Sequence, residues 1–162
     1  MIISSNLIGK LPIPDEAITR INLAWVDLAG ARNLLSTIRE PIYSVYLDYP
    51  SGRTKPPKPT ITLDEAIELA NEFNVNYFAV SNAEDAKTIR GIKERVNCEV
   101  VPKIETIKGV ENIAEIAREV AQIMLDKDDL WVDCRGVGFD ELVEKVRNCG
   151  VKVLELAGVV FI

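Results

Sequence analysis

Short runs of β-branched and other apolar residues alternate with segments whose apolar residues recur every three or four positions. The first pattern is typical of buried strands and the second of helices that pack one face on a sheet. The alternation therefore predicts repeated strand–helix units and a parallel sheet. Trp25, flanked by apolar residues in the second run, is predicted to pack in the core. We predict strands near residues 1–5, 21–27, 42–48, 76–81, 98–105, 121–126 and 151–156.

The clearest helix start lies at Thr62, with Glu65 three residues later. This spacing is that of a capping box, in which each side chain accepts a hydrogen bond from the other residue's backbone N–H. Apolar residues follow at helical spacing until Asn74, where we expect the helix to end. Asn82 is predicted to cap the next helix, and another is expected to follow Gly109.

Seven strands are one short of a closed eightfold barrel, and 162 residues are fewer than the roughly 250 typical of that fold. We therefore predict a single domain, residues 1–162, folded as a truncated α/β barrel of about seven parallel strands. A doubly wound open sheet is the alternative topology. Because an open barrel has an unpaired strand edge, we expect a homodimer or other homo-oligomer, or coverage of the edge by residues 159–162.

Composition restricts both the location of the chain and its chemistry. Hydrophobic residues make up 48% and charged residues 27%, and no apolar run approaches the roughly 18 residues of a membrane span. We expect a cytoplasmic protein without a membrane partner. A net charge of -6 argues against a nucleic-acid partner. Three cysteines without metal or disulfide spacing indicate thiols, and the absence of histidine excludes histidine-based catalysis.

A candidate metal site lies at the ends of two predicted strands. Lys103 and Glu105 share one strand face because side chains alternate, and Asp129 comes shortly after the next strand. Active sites of α/β barrels lie at the carboxyl ends of their strands. Two carboxylates without histidine favour Mg²⁺ or Mn²⁺ over Zn²⁺. Alternatively, both acids cap helices or form ion pairs with Lys103 and Lys127.

The stretch at 49–59 contains four prolines and three cationic residues. Proline at this density prevents helix and strand, so we predict a stiff loop after the third strand. Such a loop is either a solvated crossover or a cationic lid over an anionic substrate.

Three segments resemble motifs of the catalytic barrel of pyruvate kinase and the wider phosphoenolpyruvate/pyruvate-domain superfamily. Residues 76–85 (NYFAVSNAED) resemble D-F-V-A-x-S-F-V-R-S-A-x-D, and residues 101–113 (VPKIETIKGVENI) resemble A-K-I-E-N-x-x-G-V-x-N-I. Residues 123–130 (IMLDKDDL) resemble I-M-V-A-R-G-D-L. More weakly, residues 20–22 (RIN) are similar to R-L-N, and residues 46–48 (YLD) to A-L-D.

The resemblance implies a metal-dependent site. By position, Glu105 and Asp129 would bind the divalent metal, and Lys103 would stabilise or protonate an enolate. The implied function is a Mg²⁺-dependent lyase, aldolase or transferase. Its small anionic substrate would be pyruvate, phosphoenolpyruvate or a related 2-oxo acid.

The resemblance also implies two sites on earlier strands. Arg20 falls at a phosphate-contacting arginine, and Asn22 and Asp48 match two ligands of a monovalent-cation site that would hold K⁺. Ala24 and Tyr49 replace two further ligands of that site.

Other departures weaken the expectation of full pyruvate kinase activity. Residues 51–59 stand where the family carries a lid domain, and no eighth strand or C-terminal domain is expected. Asp128 and Trp131 replace glycines, and Ala157 falls near a substrate-binding threonine position. A fixed negative charge at Asp128 would repel an anionic substrate. The alternative function is therefore a non-catalytic structural or regulatory relative.

Overall fold

The computed structural model describes residues 2–4, 18–38 and 44–155. The chain forms two compact units. The first takes in the residues up to Ser81 together with Gly91–Val100, and the second takes in Asn82–Arg90 and the residues from Val101 onward. The prediction of a single domain stays a prediction.

The first unit is built on parallel strands, each paired with the strand before it in the chain. β2 runs beside β1, β3 beside β2 and β4 beside β3. The register of β2 and β3 places Asn22 directly beside Asp48. The elements are β1 (Ile2–Ser4), β2 (Ile18–Asn22), α1 (Leu28–Thr37), β3 (Ser44–Tyr49), α2 (Leu63–Glu72) and β4 (Tyr77–Val80).

The second unit also consists of parallel strands with intervening helices. β6 pairs with β5 and with β7, and Lys103 lies beside Met124 in this register. Two elements, α3 (Ala86–Lys93) and β5 (Glu99–Ile104), contribute residues to both units. The remaining elements are α4 (Ile107–Glu111), α5 (Ile113–Ala117), β6 (Gln122–Leu125), α6 (Lys127–Cys134), α7 (Phe139–Arg147) and β7 (Lys152–Glu155).

Parallel strands alternating with helices confirm the predicted α/β class and are consistent with a truncated β/α barrel. The capping box is confirmed. Thr62 Oγ1 accepts a hydrogen bond from the Glu65 N–H (3.3 Å), and Glu65 Oε2 accepts one from the Thr62 N–H (2.8 Å). In the described ranges, no helix has the length and apolar character needed to cross a bilayer.

The second strand ends earlier than predicted. β2 stops at Asn22, whose side-chain Oδ1 accepts the Ala24 N–H (2.9 Å) and whose carbonyl accepts the Trp25 N–H (3.2 Å). The Leu23 N–H still donates to the Asp48 carbonyl of β3 (3.0 Å), and the two bonds to Asn22 then form a turn that ends the strand. Trp25 is consequently 68% exposed, so the prediction that it packs in the core is wrong.

Two helix starts also differ from the predictions. At α3, Asp85 Oδ1 accepts the Thr88 N–H (2.7 Å), and Asn82 lies before the cap in a left-handed conformation (φ 50°). Gly109 lies inside α4, where Thr106 is the N-cap. The positions 157 and 159–162, for which roles were predicted, lie outside the described residues.

Candidate functional site

At the end of β5, Lys103 and Glu105 form a buried ion pair. Lys103 Nζ lies 2.6 Å from Glu105 Oε1, and the two side chains are only 4% and 3% exposed. The other carboxylate oxygen of Glu105, Oε2, accepts the backbone N–H of Asn82 (2.8 Å). Because an isolated buried charge is strongly unfavourable, each member of this pair stabilises the other in its charged form.

Two further carboxylates lie next to this pair. Asp126 directly follows β6 and caps α6, with Oδ1 accepting the Asp129 N–H (3.4 Å) and Oδ2 lying 3.6 Å from Lys103 Nζ. One carboxylate oxygen each from Glu105, Asp126 and Asp129 lie within 4.8 Å of one another. The structure thus brings Glu105 and Asp129 together, as the metal-site hypothesis requires. Their binding of a metal stays a prediction.

Sequence reasoning missed Asp126. The signal available was its position one residue after an apolar run, as Glu105 is one residue after β5. The register of β5 and β6 pairs Ile104 with Leu125, so the next residue of each strand lies at the same level.

The charges of this cluster fit a divalent cation. Three carboxylates and one ammonium carry three negative charges and one positive, a formal total of -2. Burial raises the pKa of Glu105 above its usual 4.5, and the Lys103 ammonium and the Asn82 N–H partly oppose this increase. Carboxylate oxygens without nitrogen or sulfur are the donors that suit Mg²⁺ and Mn²⁺. The donor set therefore fits the implied metal.

Residues 82–84 form a loop in which the Asn82 N–H donates to Glu105. This loop is held in place by residues of the 101–113 motif. Ala83 donates its N–H to the carbonyl of Lys103 in β5 (3.1 Å). The Asn112 side chain donates to the Glu84 carbonyl (2.7 Å). A Cβ at Gly109 would lie 2.6 Å from the Ala83 carbonyl oxygen, so glycine is required there. The glycine and asparagine of G-V-x-N thus fix the loop beside the cluster.

The site residues predicted in the first unit are bonded within that unit. Arg20 donates from Nε to Asp48 Oδ2 (2.8 Å), and its Nη2 contacts the same oxygen. Asp48 is almost completely buried, and Asn22 Oδ1 is bonded to the Ala24 N–H. Both residues that match monovalent-cation ligands are therefore engaged within the chain.

The structure also locates other residues named from the sequence. Asp128 is exposed on the first turn of α6, and Trp131 is 53% exposed and packs edge-on against Phe139. Cys134 is the buried last residue of α6. In the proline-rich loop, Arg53 donates to three backbone carbonyls of the loop itself, those of Lys55, Pro56 and Pro57.

Comparison with known proteins finds pyruvate kinases. Over an alignment of 72 positions that covers 41% of its length, this chain is 42% identical to the pyruvate kinase of Methanocaldococcus jannaschii. Over an alignment of 73 positions that also covers 41% of the chain, it is 32% identical to the pyruvate kinase of Borreliella burgdorferi. The matched segments span only 16% and 15% of those kinases. No family model matches the chain. The resemblance to pyruvate kinase is thus confirmed over 41% of the chain, which is consistent with a divergent pyruvate-kinase-like domain.

Proposed function

We propose that this pyruvate-kinase-like chain binds Mg²⁺ or Mn²⁺ through Glu105, Asp126 and Asp129 and acts on a small 2-oxo acid or phosphoenolpyruvate-like anion. The observation that carries the proposal is the convergence of three carboxylates beside Lys103. When bound, the divalent ion would supply Lewis-acid chemistry towards oxygens of the anion.

The residues of the chain have distinct roles in this proposal. Glu105 and Asp126 hold the Lys103 ammonium at the cluster, where it would balance negative charge that develops on a substrate oxygen. Burial removes water from this charge and strengthens its effect. The connection between β3 and α2 consists of residues 50–62 and is braced by Arg53, without a domain-sized lid, so we do not extend the proposal to phosphoryl transfer to a nucleotide.

A non-catalytic relative that binds a cation for structure or regulation is the second candidate. Asp126 occupies the alanine position of I-M-V-A-R-G-D-L and adds negative charge to the cluster. That charge disfavours an anionic substrate, and Lys103 is already shared by two carboxylates. Both features favour cation binding without substrate turnover.

Calorimetric titration of the chain with Mg²⁺ and Mn²⁺, with and without oxalate, tests both candidates. Oxalate resembles the planar anion of a deprotonated 2-oxo acid. Metal-dependent oxalate binding supports the enzyme, whereas metal binding without oxalate binding supports the non-catalytic relative. Failure to bind either metal ion contradicts both.

We further propose that the chain is a cytoplasmic homo-oligomer. The physical reason is that strand edges of an open parallel sheet favour pairing or coverage. Light scattering coupled to gel filtration tests the assembly, and a mass equal to the 18.0 kDa of one chain contradicts it.

A further inference from the structure

The buried carboxylate of Asp48 has its counter-charge inside the chain. We propose that the Arg20 guanidinium takes the place of a monovalent cation at this position, so that the protein needs no K⁺ for its fold. This inference concerns the first unit and is independent of the proposed metal chemistry.

The first argument concerns the charge of Asp48, which Arg20 already compensates. Its side chain is 1% exposed, and Arg20 Nε and Nη2 both donate to Oδ2. A carboxylate buried to this extent requires a nearby positive charge. Guanidinium is charged at every pH that a folded protein experiences, so the compensation is permanent. A monovalent ion at Oδ2 would have to compete with two N–H groups of one guanidinium that already donate to this oxygen.

The second argument concerns the oxygen ligands that a K⁺ ion would need at this position. K⁺ sites in proteins replace the hydration shell of the ion by several oxygen ligands. Asn22 lies directly beside Asp48, but its Oδ1 accepts the Ala24 N–H at 2.9 Å. Ala24 has no side-chain oxygen, and the Tyr49 ring stacks against Phe78 with ring centres 6.4 Å apart. Ala24 thus supplies no side-chain oxygen and Asn22 Oδ1 already accepts a hydrogen bond, so these positions favour internal compensation by Arg20 over a K⁺ site.

The same contacts indicate a different role for Arg20 from the one its sequence position implies. Sequence similarity places it at a phosphate-contacting arginine, whereas here its Nε and Nη2 are directed to Asp48. Its primary role is that of a positioning residue, which holds the end of β3 against β2 through their side chains. We expect its removal to change stability directly, whether or not an anion is present.

Thermal unfolding of the full chain in KCl and in tetramethylammonium chloride of equal ionic strength tests this. We expect the same Tm for the wild type in both salts. Arg20→Gln should lower Tm by about 10 °C, because it leaves Asp48 buried without a counter-charge. Arg32→Gln is the matched control, since Arg32 pairs with Glu72 on the exposed surface of the same unit.

The double variant Arg20→Gln/Asp48→Asn separates charge compensation from packing and remains informative if the single variant fails to fold. It removes both charges and should recover most of the lost Tm. A wild type stabilised by K⁺ over tetramethylammonium would overturn the inference. An Arg20→Gln protein as stable as the Arg32→Gln control, or a double variant no more stable than the single one, would overturn it as well.

Discussion

Lys103 Nζ lies 2.6 Å from Glu105 Oε1 and 3.6 Å from Asp126 Oδ2, at the ends of two neighbouring strands. One ammonium thus compensates two carboxylates in a buried environment. Removing a single partner from a buried ion pair typically costs 3–5 kcal/mol, because the remaining charge is left uncompensated.

Lys103→Met should therefore lower the free energy of unfolding by about 3–5 kcal/mol, measured by urea denaturation. Added Mg²⁺ should recover part of the loss, since the cation supplies the missing positive charge to the same oxygens. Lys108→Met is the control, because Lys108 pairs with Glu84 at an exposed position and its removal should change stability little. Equal losses in the two variants would contradict this account of the pair.

The alternation of apolar runs with helical patterns was enough to predict the α/β class and the capped start of α2. These features depend on local chemistry, such as the Thr62 and Glu65 hydrogen bonds. The common face of Lys103 and Glu105 likewise follows from the alternation of side chains along one strand.

What could not be predicted depends on tertiary register or on side-chain competition with the backbone. Asp126 joins the cluster only because Ile104 pairs with Leu125 across two strands. β2 was predicted to continue through an apolar run, but the Asn22 side chain takes the next available N–H and forms a turn. The resulting exposure of Trp25 follows from this turn, which composition does not indicate.

Gly109→Ala should destabilise the second unit and weaken divalent-ion binding. The new methyl group would lie 2.6 Å from the Ala83 carbonyl oxygen and displace the loop that donates to Glu105. A forced contact of this kind typically costs about 1–3 kcal/mol. Urea denaturation and metal titration of the same variant measure both effects.

Gly91→Ala is the matched control for that substitution. Gly91 lies inside α3, and a Cβ there meets nothing within 4 Å. Replacing a helical glycine by alanine should stabilise the protein by about 0.5–1 kcal/mol. If both alanine variants gained stability, the loop would not be held as the structure indicates.

Glu155 should support stability in a pH-dependent way. Arg147 and Lys127 donate to its two oxygens and lower its pKa from 4.5 to about 2. A carboxyl group with a lowered folded-state pKa stabilises the protein above its unfolded pKa and loses this contribution as pH falls through the folded value. Glu155→Gln should therefore lower Tm by about 2–4 °C at pH 7 and have little effect near pH 2.

Thermal melts of wild type and Glu155→Gln between pH 7 and pH 2 measure the Tm difference directly. Glu68→Gln, an exposed change on α2, controls for the loss of one negative charge. A Tm difference that stays constant from pH 7 to pH 2 would exclude the ionic origin of the effect.

Tryptophan fluorescence should report exposed indoles. Trp25 is 68% and Trp131 53% exposed, and the chain contains no other tryptophan. We expect emission at long wavelength that acrylamide quenches efficiently. In Trp131→Phe, where Trp25 is the one remaining tryptophan, the emission should still lie at long wavelength and be quenched efficiently. Short-wavelength, protected emission from that variant would restore the prediction of a core position.

Binding of Mn²⁺, followed by loss of the electron paramagnetic resonance signal of the free ion, tests the central claim most directly. The wild type should bind Mn²⁺, Glu105→Gln should abolish binding, and Asp126→Asn should weaken it by at least about tenfold, or roughly 1.4 kcal/mol. Asp128→Asn, an exposed change on the first turn of α6, should bind like the wild type. A wild type without affinity for Mn²⁺, or affinity unchanged by Glu105→Gln, would contradict the three-carboxylate site.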